Sequence, residues 1–121
     1  MIACQYCGRE NEDGAVKCRE CEDVRRGVEI FRSVWKSADS RVLVSCDYGA
    51  SRSPALAYVC VADQLGPNHV SEALSLIMKI RPGAVPNKLV TEFGDVVLER
   101  KGALLKPLNK FDRYLNEELK Q

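Results

Sequence analysis

This sequence has almost no net charge, no long apolar run and no linker rich in Gly or Ser. Eighteen Lys and Arg stand against seventeen Asp and Glu, a formal net charge of +1. Broad attraction to a phosphate backbone needs a clear basic excess, so nonspecific nucleic-acid binding is a poor fit. No apolar stretch reaches the roughly 18 residues of a membrane span, so no membrane partner is expected. The segment Met1-Ile2-Ala3-Cys4 has no basic residues followed by an apolar stretch. A signal peptide is therefore not expected, and the expectation is a soluble, cytoplasmic protein. What the chain does have is a globular composition, 45% apolar and 29% charged over 121 residues. That suits one domain, or a small domain with a smaller module attached.

Cysteine is the exception to this even composition. Six are present, four of them in the pairs Cys4-x-x-Cys7 and Cys18-x-x-Cys21, with Cys46 and Cys60 apart. A disulfide scaffold is disfavoured because the positions cluster and no secretion signal is seen. Thiols in a reducing compartment serve metals or catalysis instead.

Residues 1–22 are short, polar and cysteine-punctuated, and read as a module of their own, with residues 23–121 as the main domain. Val24, Val28, Phe31, Val34 and Trp35 recur at helical spacing, predicting a helix over 22–36 with Phe31 and Trp35 packed in the core. Arg41-Val42-Leu43-Val44-Ser45 is a β-branched run and reads as a buried strand. A small-residue loop follows. Ser53 is then expected to cap a helix that runs to Leu65, with Pro54 in its first turn. Gly66-Pro67-Asn68 stops that helix. Further helices are expected over 70–80, 86–101 and 107–120.

The two Cys-x-x-Cys pairs are separated by ten residues. Each pair on a tight turn can aim two sulfurs at one metal, and four thiolates make the closed tetrahedral site that structural Zn²⁺ favours. Gly8, after Cys7, suits such a turn because glycine tolerates positive φ. Iron is the chemical rival, but rubredoxin-type sites separate their pairs by a longer stretch. Cys4, Cys7, Cys18 and Cys21 are thus expected to hold zinc, and the segment resembles the short zinc-ribbon modules found at protein termini. Such a ribbon can bind a partner or simply cap a small fold.

The run Cys46-Asp47-Tyr48-Gly49-Ala50-Ser51-Arg52-Ser53 carries the chemistry. Five residues between Cys and Arg let a loop curl with its amides inward, forming a nest for an anionic phosphate. A following helix adds its N-terminal dipole at the same point. Arg52 can grip two phosphate oxygens in a fork. Such a positive bowl lowers a thiol pKa from about 8.5 to roughly 3.5–7.5, making Cys46 a nucleophile. Gly49 permits close backbone approach, and Ser53 can hydrogen-bond the sulfur.

With its preceding strand and following helix, this segment resembles the cysteine-dependent protein tyrosine and dual-specificity phosphatases, including their small prokaryotic relatives. Arg81-Pro82-Gly83-Ala84-Val85-Pro86-Asn87, then Leu89 and Phe93, is similar to the segment that packs behind the loop in that family. The resemblance covers roughly residues 24–100 and makes Arg81 and Asn87 structural braces. It implies a helix-rich α/β fold: a shortened phosphatase-like core with a four-cysteine zinc ribbon at its N-terminus. It also implies Cys46, Arg52 and Ser53 as catalytic residues, with Asp47, Tyr48, Gly49, Ala50, Ser51 and Arg52 as the phosphate cradle.

Three departures from the family pattern stand out. Ser45 occupies the place of the usual His before the nucleophile, and the chain's one histidine, His69, reads as a solvent-side residue. The upstream general-acid Asp has no clear counterpart. Asp39 precedes the strand at its far end, Asp47 lies inside the loop, and Glu12 or Asp13 would need the ribbon to fold over the site. Loss of a general acid typically removes about 10²–10⁴-fold in rate. Finally, only one strand is evident, so a hairpin of the ribbon, a second subunit, a protein partner or an undetected strand would have to complete the sheet. Cys60, among Leu56, Ala57, Val59 and Val61, reads as a small buried hydrophobe, and Lys101, Lys106, Lys110 and Arg113 as a solvated face.

Two functions follow from this reading. One is hydrolysis of phosphotyrosine or a related phosphomonoester, on a protein or a small molecule, through a phosphocysteine. The other is a catalytically weak phosphate-binding adaptor whose ribbon recruits a partner. Rhodanese and arsenate reductase fit less well: the first uses a loop of different size, the second a clear resolving cysteine.

Overall fold

The structure is a computed structural model that describes residues 2–3, 10–11, 19–35, 42, 44 and 51–110. Two short strands, β1 (Ile2–Ala3) and β2 (Glu10–Asn11), pair antiparallel with Ile2 opposite Asn11 and Ala3 opposite Glu10. Four helices follow: α1 (Arg19–Val34), α2 (Arg52–Leu65), α3 (Val70–Ile80) and α4 (Lys88–Leu98). A 3₁₀ turn over Pro67–His69 joins α2 to α3, and residues 105–110 are again helical.

Helix α2 is the centre of the body and packs on α1, α3 and α4. Ala55, Tyr58, Val59 and Ala62, spaced by three or four residues, are all fully buried, so one continuous face of α2 is interior. Val28 and Phe31 of α1 and Ala73, Leu74 and Ile77 of α3 close the same cluster, together with Leu104. A second, smaller cluster joins Val24 of α1 to Phe93 of α4. Glycine sets the approach of α2 and α4. A Cβ added at Gly94 would come within 2.3 Å of a Val59 methyl, so only glycine allows these helices to touch there.

The helix ends follow local chemistry. Gly66 ends α2 at φ 98°, a conformation open to glycine, and its amide donates to the Ala62 carbonyl. Asn87 caps α4 by accepting the Val90 amide at 3.0 Å. After α4 the chain turns through Glu99, Lys101 and Gly102, all at positive φ. Asp95 holds this turn. One carboxylate oxygen accepts the Gly102 amide at 2.7 Å and the other the Leu104 amide at 3.0 Å. The buried Tyr58 hydroxyl then donates to the Leu104 carbonyl at 2.7 Å.

The α/β expectation is overturned. The described residues are helical apart from turns, the connecting residues and the two-residue β1–β2 ladder, and no sheet lies against the helices. A shortened phosphatase-like α/β core is therefore not the architecture, and a partner completing its sheet loses its premise. Val42 and Val44, the described members of the expected strand, are in neither strand nor helix. Both are half-buried, and Val42 packs directly on the helical core. A β-branched run records burial as readily as ladder pairing, and here it is burial against helices that these valines satisfy.

The helices match the sequence pattern more closely. Those expected over 70–80 and up to Leu65 are found as such. Helix α1 starts three residues before expectation, at Arg19, and runs through residues 22 and 23 without a break. Helix α4 is shorter than the expected 86–101, because Asn87 caps its start and Glu99 turns left-handed at its end. No helix among the described residues is long and apolar enough to cross a membrane.

Candidate functional site

The candidate site begins where the Cys-x5-Arg segment enters α2. Arg52 is the first residue of α2 and is exposed; Ser53 follows and is buried. Ser51, not Ser53, is the N-cap, and it makes no side-chain capping bond. What ties this end of α2 to the rest of the fold is the Ser51 carbonyl. The Ser51 carbonyl accepts the Ala55 amide at 3.2 Å and, from across the fold, the Asn87 amide at 2.9 Å.

Asn87 thus serves two helices at once. Its own amide donates to Ser51 at the start of α2. Its side chain caps α4, and its carbonyl receives the Thr91 amide at 3.1 Å and the Thr91 hydroxyl at 2.9 Å. The segment leading to it is set by Gly83 at φ 85°, by the Ala84 amide donating to the Arg81 carbonyl, and by burial of Ala84 and Pro86. Residues 81–87 therefore brace the point where the loop becomes a helix.

The start of α2 is the positive end of a helix. No acidic residue lies in the first turn of α2 to answer its dipole. Arg52 adds positive charge at the positive end of the helix. Pro54 has no amide hydrogen, so Arg52 and Ser53 carry the first-turn amides of α2 ahead of Ala55. Ser53 and Pro54 also face a cavity of about 440 Å³ between the C-terminal ends of α1 and α3. Its walls include Trp35, Val42, Val44 and Ile80, and Ser53 and Arg81 are the polar members among the described residues that line it. Trp35 stacks on Phe31 at 5.4 Å between ring centroids. Phe31 is buried as expected, whereas Trp35 remains 36% exposed at the cavity rim.

Cys46, Asp47, Tyr48, Gly49 and Ala50 lie outside the described residues, as do Asp39, Glu12, Asp13, Ser45 and Arg113. So do Cys4, Cys7 and Cys18; Cys21 is described only as a backbone position in the first turn of α1. No group of three or more metal-ligating side chains occurs among the described residues.

Cys60 contrasts with the reactive thiol the motif calls for. It is 2% exposed, and burial, reinforced by the nearby Asp63 carboxylate, pushes its thiol up to about 12. It is protonated at neutral pH and acts as a packed hydrophobe, as its sequence context indicated. His69 is half-exposed beside Glu72, with 3.0 Å between ring nitrogen and carboxylate, again on the solvent side. Lys101, Lys106 and Lys110 are exposed.

Two carboxylates near the core already have partners. Asp63 receives two bonds from the Arg32 guanidinium at 2.7 Å, and Asp95 holds the turn after α4. The Asp95 role escaped the sequence reading. The available signal was an acidic residue on the apolar face of a helix, a few residues ahead of a glycine turn. Compared with family models, with curated proteins and with solved structures, the chain finds no match in any of the three.

Proposed function

We propose that this protein hydrolyses phosphomonoesters through a cysteine nucleophile, with Cys46 attacking phosphorus and Arg52 holding the phosphate. The observation that carries the reading is the position of Arg52. The arginine that must follow a five-residue loop is the first residue of α2, and the carbonyl just before it is pinned by the Asn87 amide. A loop held at its exit in this way suits a nest of backbone amides around one anion.

In the first step the Cys46 thiolate forms a bond to phosphorus as the ester P–O bond breaks. The leaving oxygen takes a proton from an acid or from water. In the second, water attacks phosphorus, the S–P bond breaks, and inorganic phosphate and the thiolate are released. Ser53, buried at the start of α2, is the thiolate's hydrogen-bond partner in this scheme. The proton donor is the weak element. Asp63 and Asp95 are engaged elsewhere, and Asp47, Glu12 and Asp13 are the acids this scheme offers in their place. Aryl phosphates, whose leaving groups need little protonation, are accordingly the favoured substrates. The apolar cavity beside Ser53 and Pro54 suits an aromatic ring.

The engagement of both carboxylates also favours a second reading, in which the same site binds phosphate groups tightly and turns over slowly. One experiment separates them. Phosphate release from p-nitrophenyl phosphate between pH 5 and 8 should exceed that of Cys46→Ser by at least about 10²-fold. Equal rates in the two proteins, with vanadate or a phosphopeptide still bound, would leave only the binding function.

A further inference from the structure

We propose that the cavity between the C-terminal ends of α1 and α3 binds a planar aromatic molecule of about two fused rings, with an anionic group at its outer end. At about 440 Å³ the cavity is roughly three times the size of an apolar cavity that holds one benzene, about 150 Å³. Its floor is interior: Phe31, Ser53 and Ile77 line it and are buried. Its rim is apolar and in solvent, formed by Trp35, Leu76 and Ile80, the last of them 70% exposed. Large apolar side chains gathered around an opening mark a place where an apolar group docks. Water is a poor occupant. A buried water needs about two to four polar partners, and Ser53 and Arg81 are the polar side chains among the described residues that line the space. Protein interiors leave few voids larger than a water molecule, so a space of this size with such walls suits an apolar body.

The aromatic pair on the wall selects the shape of that body. The Phe31 and Trp35 rings stack with their planes 12° apart. Stacking on Phe31 orients the Trp35 ring before any ligand arrives. A flat ring system can join such a pair by offset stacking or by edge-on contact. A flexible alkyl chain of the same volume would lose rotational freedom on entering, whereas fused rings have none to lose. The anionic group follows from Arg81, which lines the cavity and is exposed. A guanidinium carries more donors than one partner uses, so Arg81 can serve an anion at the rim while keeping the contacts it already makes. Ser53 and Pro54 also lie in the first turn of α2, so the cavity adjoins the Cys-x5-Arg segment. Binding here needs neither Cys46 nor a phosphate group.

The test titrates the full chain with 2-naphthoate, read by calorimetry and by amide chemical shifts. Saturable binding of one molecule per chain is expected, at least about 10-fold tighter than benzoate, octanoate or the uncharged 2-naphthylmethanol. The heat capacity should fall on binding, as burial of apolar surface requires. The largest shifts should fall at Trp35, Ser53, Ala57 and Ile77, which surround the cavity. Trp35→Ala, at a partly exposed position, should weaken 2-naphthoate by at least about 5-fold. The comparison of ligands on the wild-type chain needs no variant to fold. Any of four results would overturn the proposal: no saturable binding, octanoate bound as tightly as 2-naphthoate, shifts centred elsewhere in the fold, or a second copy seated on Leu76 and Ile80 that excludes the ligand. Binding is read without turnover, so the phosphatase reading can fail while this site stands, and the reverse.

Discussion

The two ends of the helical body are held by different means. At the end of α4, Asp95 accepts two backbone amides, Tyr58 donates to the Leu104 carbonyl, and Leu104 and Leu108 are fully buried. The turn carries its own polar partners inside the fold. At the α1 end, Ile30 is 57% exposed and Val34 48%, and the ion pair to α2 joins a half-exposed Arg32 to a mostly buried Asp63. The contrast is between a turn whose polar groups are satisfied inside the fold and a helix end that leaves large apolar side chains exposed.

The largest expected effect is at the self-sufficient end. Asp95→Ala strands the Gly102 and Leu104 amides, each worth about 1–3 kcal/mol when left unpaired, so a loss of roughly 3 kcal/mol is expected in urea unfolding. A loss below about 1 kcal/mol would show that the turn is held by apolar packing alone, which would erase the contrast.

An intermediate effect is expected from pH. Burial raises the pKa of Cys60 from an ordinary 9.0 to about 12 and raises that of Tyr58 as well. A folded-state pKa above the unfolded one means that the unfolded chain loses its proton first. Stability is therefore complete below about pH 9 and declines as pH rises toward 12. Cys60→Ala should flatten the first part of that decline in thermal melts across pH 8–11. An unchanged slope would remove Cys60 from the account.

The smallest effect is expected at the α1 end. The Arg32 side chain is 53% exposed, and pairs of that kind contribute about 0.2–1 kcal/mol, so Arg32→Ala should shift unfolding by no more than that. A loss above about 2 kcal/mol would mean that α1 is docked by this bridge and not by its buried apolar face.

Much of the helical layout was legible from spacing. Helix α3 has the predicted bounds because Val70, Ala73, Leu74 and Ile77 mark one face and Gly66 and Gly83 punctuate the flanking turns. The stop of α2 was legible for the same reason. The start of α2 was not. Ser53 has the chemistry of a cap, but it is buried within the first turn, and the Ser51 carbonyl is secured by a residue 36 positions later. Asn87 was legible as a brace through its segment, though its partner was not. Only contact decides such pairings.

The sequence by itself determined the spacing of the six cysteines, the Cys-x5-Arg run, the near-zero charge and the period of the central helices, because each depends on neighbours within a few residues. Tertiary structure alone decided that Val42 packs on the helical core and Val44 lines a cavity instead of either pairing in a sheet, that Asp95 ties down the turn after α4, and that Asn87 joins the starts of α2 and α4. The physical reason is common to all three. An apolar side chain or a backbone amide must be satisfied, but which distant group satisfies it is fixed only when the chain closes on itself.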